Sequence, residues 1–311
     1  FLSGPTLQGA VLGDVEEFAP TPNELHVLYT NSYVGSKFHV VGAGGGSPAL
    51  DVPFDPVSGT LLPHPGSKSV AFLANAFPEP TPDLIVAPLW GSGSAVRINV
   101  PGTEGSAVAD GSTLNPRFTP DGASIVFAAE PDGWGSWPSL LFIAPGDGSL
   151  PPTRLNGTGA DAYLWSTPAN NGRAFDVSSD GTRIVYSAAS DVTSTRHNLF
   201  SVPVDASSSP VQLSNLTLSG TSVYGNWAIT PDGARVVYLA EQQVRFRSEL
   251  YSAPIDGSSP AVKLNSTLVT GGDVGFASEG YGLSAYARIT PDGSRVIYWA
   301  DQTVNDRFDL Y

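Results

Sequence analysis

The apolar residues of this chain fall in short alternating runs separated by turn-forming residues, and no window keeps a helical period. The clearest run, Arg235–Ala240, follows the tetrapeptide Thr230-Pro-Asp-Gly233. Proline presets φ, aspartate bonds its own backbone and glycine accepts a positive φ, so this tetrapeptide predicts a tight turn between antiparallel strands. Glu249–Gly257 and Ala261–Asn265 predict two further strands joined by an Asp-Gly turn. The unit therefore predicts four short strands, named a to d in chain order.

The turn between strands a and b recurs along the chain and defines six repeats. Its copies start at Thr21, His64, Thr119, Ser178, Thr230 and Thr290. The first two copies are weaker, because asparagine or glycine replaces the aspartate and glutamate or serine replaces the glycine. Successive turns begin 43 to 60 residues apart, close to the roughly 40–50 residues of a four-stranded propeller blade. The sequence therefore predicts an all-β, six-bladed β-propeller of four-stranded antiparallel blades.

The Pro-Asp-Gly turn, the Val-Val-Tyr strand, the Glu-Leu-Tyr strand and the Asp-Gly turn resemble the WD-like repeats of TolB-type six-bladed β-propellers. The resemblance spans nearly the full chain and is strongest in the last four repeats. It implies the fold and leaves the activity open, because this family includes binding domains, scaffolds and domains attached to peptidases.

The two ends of the chain predict that the ring is closed. Phe308–Tyr311 match strand c of the fifth repeat, and no strand d follows them. Phe1-Leu-Ser3 align with Lys263-Leu-Asn265, so residues 1–3 are expected to supply the outer strand of the last blade and remove an open edge. Truncation of a longer repeat array is the rival interpretation. The expected blades of this single domain are 15–51, 58–98, 115–155, 174–213, 226–265, and 286–311 with 1–3.

Charge and composition narrow the class of partner. The 311 residues carry a net charge of −14 with only 14% charged residues. An acidic chain without a basic stripe is a poor candidate for nucleic-acid binding, and anionic membranes would repel it. No apolar run approaches the ~20 residues that a membrane span needs. A protein or glycan partner is therefore expected, with no nucleic acid and no membrane insertion, and membership of a larger surface assembly is open.

The chain contains neither cysteine nor methionine. It therefore has no disulfide framework, and Phe1 is not a translation start, so we expect a processed chain or a fragment. Removal of a signal peptide would explain this start and favours a secreted, periplasmic or cell-surface protein. Three glycosylation sequons begin at Asn156, Asn215 and Asn265, each just after a predicted strand d. They are interpreted as chance matches in a bacterial protein and as acceptors in a eukaryotic one.

The long connections all fall at one end of the predicted blades. In a four-stranded antiparallel blade the b–c and d–a connections share an end, which we call the long-loop face. The d–a segments are 99–114, 156–173, 214–225 and 265–285, and the b–c loops are 130–137, 189–196, 241–247 and 301–306. Loops on a rigid scaffold commonly carry binding groups.

Unusual residues gather on this face. The candidate ligand-binding residues are Trp134, Trp137, Asp161, Tyr163, Trp165, Tyr224 and Tyr281. Aromatic rings stack on sugars or anchor peptides, and carboxylates accept hydrogen bonds from hydroxyl groups. The alternative is that these rings only pin the long loops onto the propeller.

Charged residues in strand a give a second set of ligand-binding candidates. Arg117, Asp176 and Arg288 occupy the second position before the turn in three of the four strong repeats, and Ala228 occupies it in the other. Such residues either point toward a central channel or form salt bridges between adjacent blades. The turn aspartates have a repeated place that suits turn geometry, and no ligand is assigned to them.

No catalytic signature emerges from the sequence. Gly220-Thr-Ser222-Val-Tyr224 lacks the last glycine of a nucleophile elbow, and the four histidines lack metal-binding spacing. No cofactor is evident, although loop carboxylates could hold Ca²⁺, and the metal candidates are Asp14, Asp161 and Asp273. The favoured function is a non-catalytic binding or scaffold propeller. The alternative is a metal-dependent lyase or hydrolase with its site at the channel mouth.

Overall fold

A computed structural model of the chain describes residues 15–31, 38–42, 55–56, 61–75, 82–89, 93–100, 107–108, 116–130, 140–159, 163–164, 174–189, 196–217, 221–275 and 287–311. The backbone divides into two compact units, Phe1–Ser136 with Phe142–Thr153, and Trp137–Leu141 with Arg154–Tyr311. The regular structure of the described residues is entirely β-strand. None of these residues belongs to a helix long and apolar enough to cross a membrane.

Each repeat forms its own antiparallel sheet, with strand b between strands a and c. The strands of the first three repeats are β1 Val15–Pro20, β2 His26–Asn31 and β3 Phe38–Gly42; β4 Asp55–Pro56, β5 Leu62–Pro63, β6 Ser69–Asn75, β7 Pro82–Pro88 and β8 Val96–Arg97; and β9 Ala107–Val108, β10 Arg117–Phe118, β11 Ser124–Glu130, β12 Leu140–Pro145 and β13 Thr153–Arg154. In all three repeats a strand follows the a–b turn as the repeat pattern predicts, namely β2, β6 and β11.

The last three repeats follow the same order. Their strands are β14 Tyr163–Leu164, β15 Phe175–Val177, β16 Arg183–Ala189, β17 Asn198–Pro203 and β18 Val211–Gln212; β19 Val223–Ile229, β20 Arg235–Ala240, β21 Glu249–Pro254 and β22 Val262–Lys263; and β23 Ala287–Ile289, β24 Val296–Ala300 and β25 Asp309–Leu310. The fifth repeat is the four-stranded sheet that the sequence predicts, in the order β19-β20-β21-β22. Residues 1–3, which are expected to complete the last sheet, lie outside the described residues.

Strand a begins earlier than the sequence predicts. In the second, third and fourth repeats two short strands pair with one strand b: β4 and β5 with β6, β9 and β10 with β11, and β14 and β15 with β16. In the fifth repeat the register shifts within β19, and in the sixth Val274 bridges to Ala300 ahead of β23.

The d–a segments 99–114, 156–173, 214–225 and 265–285 are therefore not loops throughout, and that part of the prediction is wrong. Each segment contains the first piece of the next strand a. The first piece is very short, so it carries no alternating apolar pattern from which a strand could be recognised.

The a–b turns have one geometry in all six repeats, including the two weak copies. The N–H of the fourth residue donates to the carbonyl of the first, as from Gly233 to Thr230 at 2.8 Å. The fourth residue has a positive φ throughout, 73° at Gly233 but also 56° at Glu24 and 53° at Ser67. Asn23 accepts a hydrogen bond from the Thr21 hydroxyl at 2.6 Å, as the turn aspartates do in their own repeats. The weak copies therefore reach the same turn without the favoured residues.

Side chains from the two faces of strand b in the fifth repeat pack against different neighbours. Val236 and Tyr238 share a core cluster with Val185 of the fourth repeat, whereas Val237 and Leu239 share one with residues of the sixth. Alternating residues of a strand point to opposite faces, so the sheet of the fifth repeat is covered by the fourth repeat on one face and by the sixth on the other. Within the sheets, stacked aromatic pairs join strands b and c, with centroids 5.6 to 5.8 Å apart: Phe127–Phe142, Tyr186–Phe200, Tyr238–Tyr251 and Tyr298–Tyr311.

Candidate binding site

Half of the twelve predicted site residues lie outside the described part of the chain. This holds for Trp134, Trp137, Asp161, Trp165, Tyr281 and Asp14. The backbone of Tyr224 lies in β19, and its side chain falls outside the description. Tyr163 lies in β14, where it pairs with Ala189 of β16 and is half-buried. Tyr163 is thus part of an interrupted strand a.

The three charged candidates in strand a occupy different surroundings. Arg117 in β10 donates from Nη1 to the carbonyl of Pro116 at 3.0 Å. Asp176 in β15 accepts a hydrogen bond from the N–H of Val177 at 3.0 Å, and both side chains are half-buried. Arg288 in β23 is exposed. Whether any of them lines a channel stays a prediction.

Asp273 is the one metal candidate within the described residues, and it belongs to a hydrogen-bonded network at the long-loop end of the fifth and sixth repeats. Its Oδ1 accepts a hydrogen bond from the N–H of Ser248 at 2.6 Å. Its own N–H donates to Oδ1 of buried Asp301 at 2.5 Å, and the N–H of Asp306 donates to Oδ2 of Asp301 at 2.9 Å. The two carboxylates therefore hold the b–c loops of both repeats against the segment that follows β22.

The electrostatics of Asp273 favour the neutral carboxyl group. Burial raises its pKa, the hydrogen bond from Ser248 lowers it, and the nearby charge of Asp301 raises it again. Arg247 lowers the pKa and Glu241 raises it by smaller amounts. Two neighbouring carboxylates thus oppose ionisation while one guanidinium supports it.

Among the described residues, no three histidine or carboxylate side chains are placed to hold a metal ion together. Oδ1 of Asp273 is already an acceptor for the backbone of Ser248. A metal site that includes Asp273 would therefore need ligands from outside the described residues, such as Asp14 or Asp161.

Ser222 lies beside His197, a pairing that could suggest a nucleophile and its base. Oγ of Ser222 lies 3.2 Å from Nδ1 of His197 and accepts a hydrogen bond from its backbone N–H at 3.1 Å. Asp273 and Ser248 occupy the same backbone positions one repeat later. The N–H of Val223 donates to the carbonyl of His197, and the N–H of Val274 donates to the carbonyl of Ser248, both at 2.9 Å. Both pairs fasten the start of strand a to the start of the previous strand c, so we interpret the serine–histidine contact as structural.

The b–c loop of the fifth repeat carries the most exposed aromatic ring in the described long-loop segments. Phe246 is 77% exposed and Val244 is 43% exposed, and both lie at the tip of this loop. The guanidinium carbon of Arg245 lies 5.1 Å from the centroid of the Phe246 ring. Arg247 donates to the carbonyl of Val269 at 3.2 Å and ties the loop to the segment that follows β22.

Phe246 also has an unfavourable backbone conformation. Its φ is 58°, in the left-handed region that a bulky residue rarely enters. The equivalent position in the sixth repeat is Asp306, with a φ of 62°, and aspartate tolerates this region better. The loop therefore combines an unfavourable backbone angle with an exposed phenylalanine ring. Strain of this kind concentrates at functional sites.

Sequence reasoning missed Phe246 because it favoured tryptophan and tyrosine in the longer segments. The signal was available from aligning Gln242–Arg247 with Gln302–Arg307, which share Val244 and Val304 and differ at the left-handed position. Only the backbone angle shows that the difference is unfavourable.

Comparison with solved structures places the chain among known folds. It resembles oligogalacturonate lyase from Vibrio parahaemolyticus with a TM-score of 0.52 and 11% identity, over 96% of this chain and 88% of that one. It resembles a prolyl endopeptidase with a TM-score of 0.51 and 12% identity, over 92% of this chain and 39% of that one. TolB from Acinetobacter baumannii gives a TM-score of 0.41 and 14% identity, over 96% of this chain and 60% of that one. No protein-family model and no curated protein matches the sequence.

At these identities the likeness concerns the fold alone. An all-β chain built from successive antiparallel sheets of one order, together with this likeness, supports the β-propeller that the repeats predict. The number of blades and the closure of the ring stay predictions.

Proposed function

We propose that this protein is a non-catalytic binding propeller that engages a protein partner through its long-loop face, outside the cytoplasm. The observation that supports this proposal is the Phe246 loop, an exposed aromatic ring held in a strained backbone conformation beside Val244 and Arg245. Aromatic and arginine side chains are the residue types that dominate the energetics of protein interfaces.

The chemistry of the loop favours a protein over the other partner classes. A sugar stacks on an open ring face, and Arg245 lies over one of the two faces of the Phe246 ring. The net charge of −14 opposes nucleic acid and anionic membranes. A partner surface with an apolar pocket and nearby carboxylates would accept both the ring and the guanidinium.

We further propose that the sheets form a closed six-bladed ring, as the repeats predict. Ile297, Trp299 and Leu310 of the last sheet are exposed, whereas their counterparts in the fifth repeat, Val237, Leu239 and Leu250, are buried. An apolar sheet face of this kind needs cover, and closure would supply it.

The binding proposal is tested by replacing Phe246 with the photoreactive analogue benzoylphenylalanine in the producing cells. A matched control places the same analogue at Leu150, which is 64% exposed beside the c–d turn of the third repeat. Irradiation is expected to give a discrete protein adduct from position 246 and none from position 150. No adduct at 246, or the same adducts from both positions, would contradict the proposal. A Phe246→Ala variant that loses binding to immobilised glycans would assign the surface to a glycan.

The alternative function, a metal-dependent lyase or hydrolase at the channel mouth, has a separate test. A metal that binds only the folded chain raises the free energy of unfolding by about 2.7 kcal/mol at a hundred times its dissociation constant. Thermal unfolding with EDTA and then with Ca²⁺, Mn²⁺ or Zn²⁺ measures this effect. A rise of several degrees with one metal would support the enzyme, and unchanged melting with all three would leave the binding function.

A further inference from the structure

The three glycosylation sequons occupy nearly the same place in three repeats, but the structure separates them. Asn156 follows β13, Asn215 follows β18 and Asn265 follows β22. A glycan is attached through the Nδ2 atom of the asparagine side chain. A chain that carries a glycan can therefore fold only if that atom faces solvent in the folded state and the surrounding backbone does not depend on the same amide group.

Asn156 and Asn265 fail this requirement. Each is only 4% exposed. Oδ1 of Asn156 accepts a hydrogen bond from the N–H of Leu141 at 2.9 Å, and Oδ1 of Asn265 accepts one from Leu250 at 2.8 Å. Nδ2 of Asn265 also donates to the carbonyl of Ser266 at 2.9 Å. These amides join strand d to a buried strand c, and a glycan on either one would displace that contact.

In the fourth repeat the same structural role is filled by Ser214. Its Oγ accepts the hydrogen bond from the N–H of Leu199 at 3.0 Å. The asparagine of the sequon is therefore displaced by one residue, to position 215, where it is exposed. Its backbone N–H donates to Oε1 of Gln242 at 2.6 Å, and its side-chain amide has no hydrogen-bond partner among the described residues. The third sequon residue, Thr217, is also exposed.

We infer that Asn215 is a site for an N-linked glycan, and that Asn156 and Asn265 are not. The donor would be an oligosaccharide joined to a lipid through a diphosphate. Nδ2 of Asn215 attacks the anomeric carbon, a carbon–nitrogen bond forms, the bond from that carbon to the diphosphate breaks, and one amide proton is lost. The backbone of Asn215 and the hydroxyl of Thr217, which donates to the carbonyl of Gln242 at 2.8 Å, hold the site beside the b–c loop of the fifth repeat.

The test is expression of the full chain through the secretory pathway of a eukaryotic cell. The secreted protein is treated with peptide N-glycosidase in H₂¹⁸O, so that each formerly glycosylated asparagine becomes labelled aspartate and is located by mass spectrometry. The label is expected at position 215 and at neither of the other two. Asn215→Gln and Thr217→Ala are each expected to abolish the mass difference between the secreted chain before and after glycan removal. Secreted Asn156→Gln and Asn265→Gln chains are expected to keep this difference.

Two variants guard against failure of folding. Thr217→Ser preserves the sequon and the hydroxyl group and should keep the glycan. Asn215→Gln removes the acceptor from an exposed position, so the unglycosylated chain should melt at the same temperature as the wild type made in a bacterial cytoplasm. A secreted wild-type chain without glycan at Asn215, or with one at Asn156 or Asn265, overturns the inference.

Discussion

The residue at the left-handed position sets the backbone strain of each tight turn. In the c–d turns the left-handed position is glycine at Gly148 and Gly257, each with a φ of 68°, but alanine at Ala206, with a φ of 54°. An L-residue pays roughly 1–2 kcal/mol in this region, and glycine does not. Ala206 is exposed, so its methyl group contributes little packing in return.

Ala206→Gly should therefore raise the free energy of unfolding by about 1 kcal/mol. The matched control is Ala234→Gly, at an exposed residue outside the left-handed region, where added backbone freedom should lower it by roughly 0.5–1 kcal/mol. Urea unfolding with an unchanged m-value measures both. If both substitutions lower the free energy of unfolding, the left-handed angle at Ala206 does not destabilise the folded chain.

The buried carboxylates predict a second effect at the residue scale. The pKa of Asp273 is raised by burial and by Asp301 and Glu241, against the hydrogen bond from Ser248 and the charge of Arg247. The folded state therefore holds the proton more tightly than the unfolded state, and the free energy of unfolding falls as the pH rises from 3.8 through the raised value.

Asp273→Asn keeps an oxygen acceptor for Ser248 and removes this charge. It should raise the free energy of unfolding at pH 7 by roughly 0.5–1 kcal/mol, after allowance for partial screening. The gain should disappear at pH 3, where the wild-type carboxyl is protonated. Asp306→Asn, at an exposed residue on the adjoining loop, is the control and should change little. Equal stability of Asp273→Asn and wild type across this pH range would contradict the expected repulsion.

At the scale of the element, one side-chain acceptor recurs between strands c and d in the second to fifth repeats. The acceptors are Asn99 for Leu84, Asn156 for Leu141, Ser214 for Leu199 and Asn265 for Leu250, at 2.8 to 3.0 Å. Strand d has few ladder hydrogen bonds of its own, because it pairs over only two residues in each of these repeats. The side-chain acceptor therefore adds to this short ladder, as do the backbone bond from Leu264 to Leu250 and the ion pair of Lys263 with Glu249 in the fifth repeat.

Asn265→Ala should lower the free energy of unfolding by about 1–3 kcal/mol, because it leaves the buried N–H of Leu250 without an acceptor. Asn265→Ser should lose less, since serine performs this role at position 214. Asn215→Ala is the control at an exposed amide and should stay within about 0.5 kcal/mol of wild type. Thermal unfolding ranks the three variants, and equal losses for alanine at 265 and 215 would show that the hydrogen bond contributes nothing.

The elements that the sequence predicted are those with a regular pattern or a strong turn. Arg235–Ala240 and Glu249–Pro254 alternate over whole strands, and both strands are present and paired, with Tyr238 opposite Tyr251. The first pieces of strand a could not be predicted, because β9 and β14 contain only two residues each and depend on pairing with a distant strand b. Phe246 was missed for a related reason: its importance comes from a backbone angle that residue identity does not reveal.

At the scale of the whole molecule, repetition made the fold predictable and left the function open. The same turn, the same aromatic pair and the same strand-d acceptor recur. A repeat with a clear pattern therefore predicts the strands of the repeats whose pattern is weaker. The long-loop face differs from repeat to repeat, and its chemistry cannot be transferred in this way. Repetition also means that the small effect of pH on stability at one turn is added to the same effect at the other turns.

The turn aspartates Asp121, Asp232 and Asp292 each contribute such an effect. A threonine hydroxyl and then a backbone N–H lower the pKa of each, to about 2 for Asp292. The folded state therefore binds protons less readily than the unfolded state. The stability that these groups contribute is present above the ordinary value of 3.8 and is lost as the pH falls toward 2.

Replacing all three with asparagine should flatten the pH dependence of stability between about pH 4 and 2, because asparagine does not titrate there. Asn23 already makes the same two contacts, accepting from the Thr21 hydroxyl at 2.6 Å and from the N–H of Leu25 at 3.1 Å. The reciprocal variant Asn23→Asp should make the acid loss steeper. Urea unfolding measured at each pH compares the slopes of wild type, the triple variant and Asn23→Asp. Parallel curves for all three would mean that the turn carboxylates contribute equally in the folded and unfolded chain, and that acid unfolding is governed by other groups.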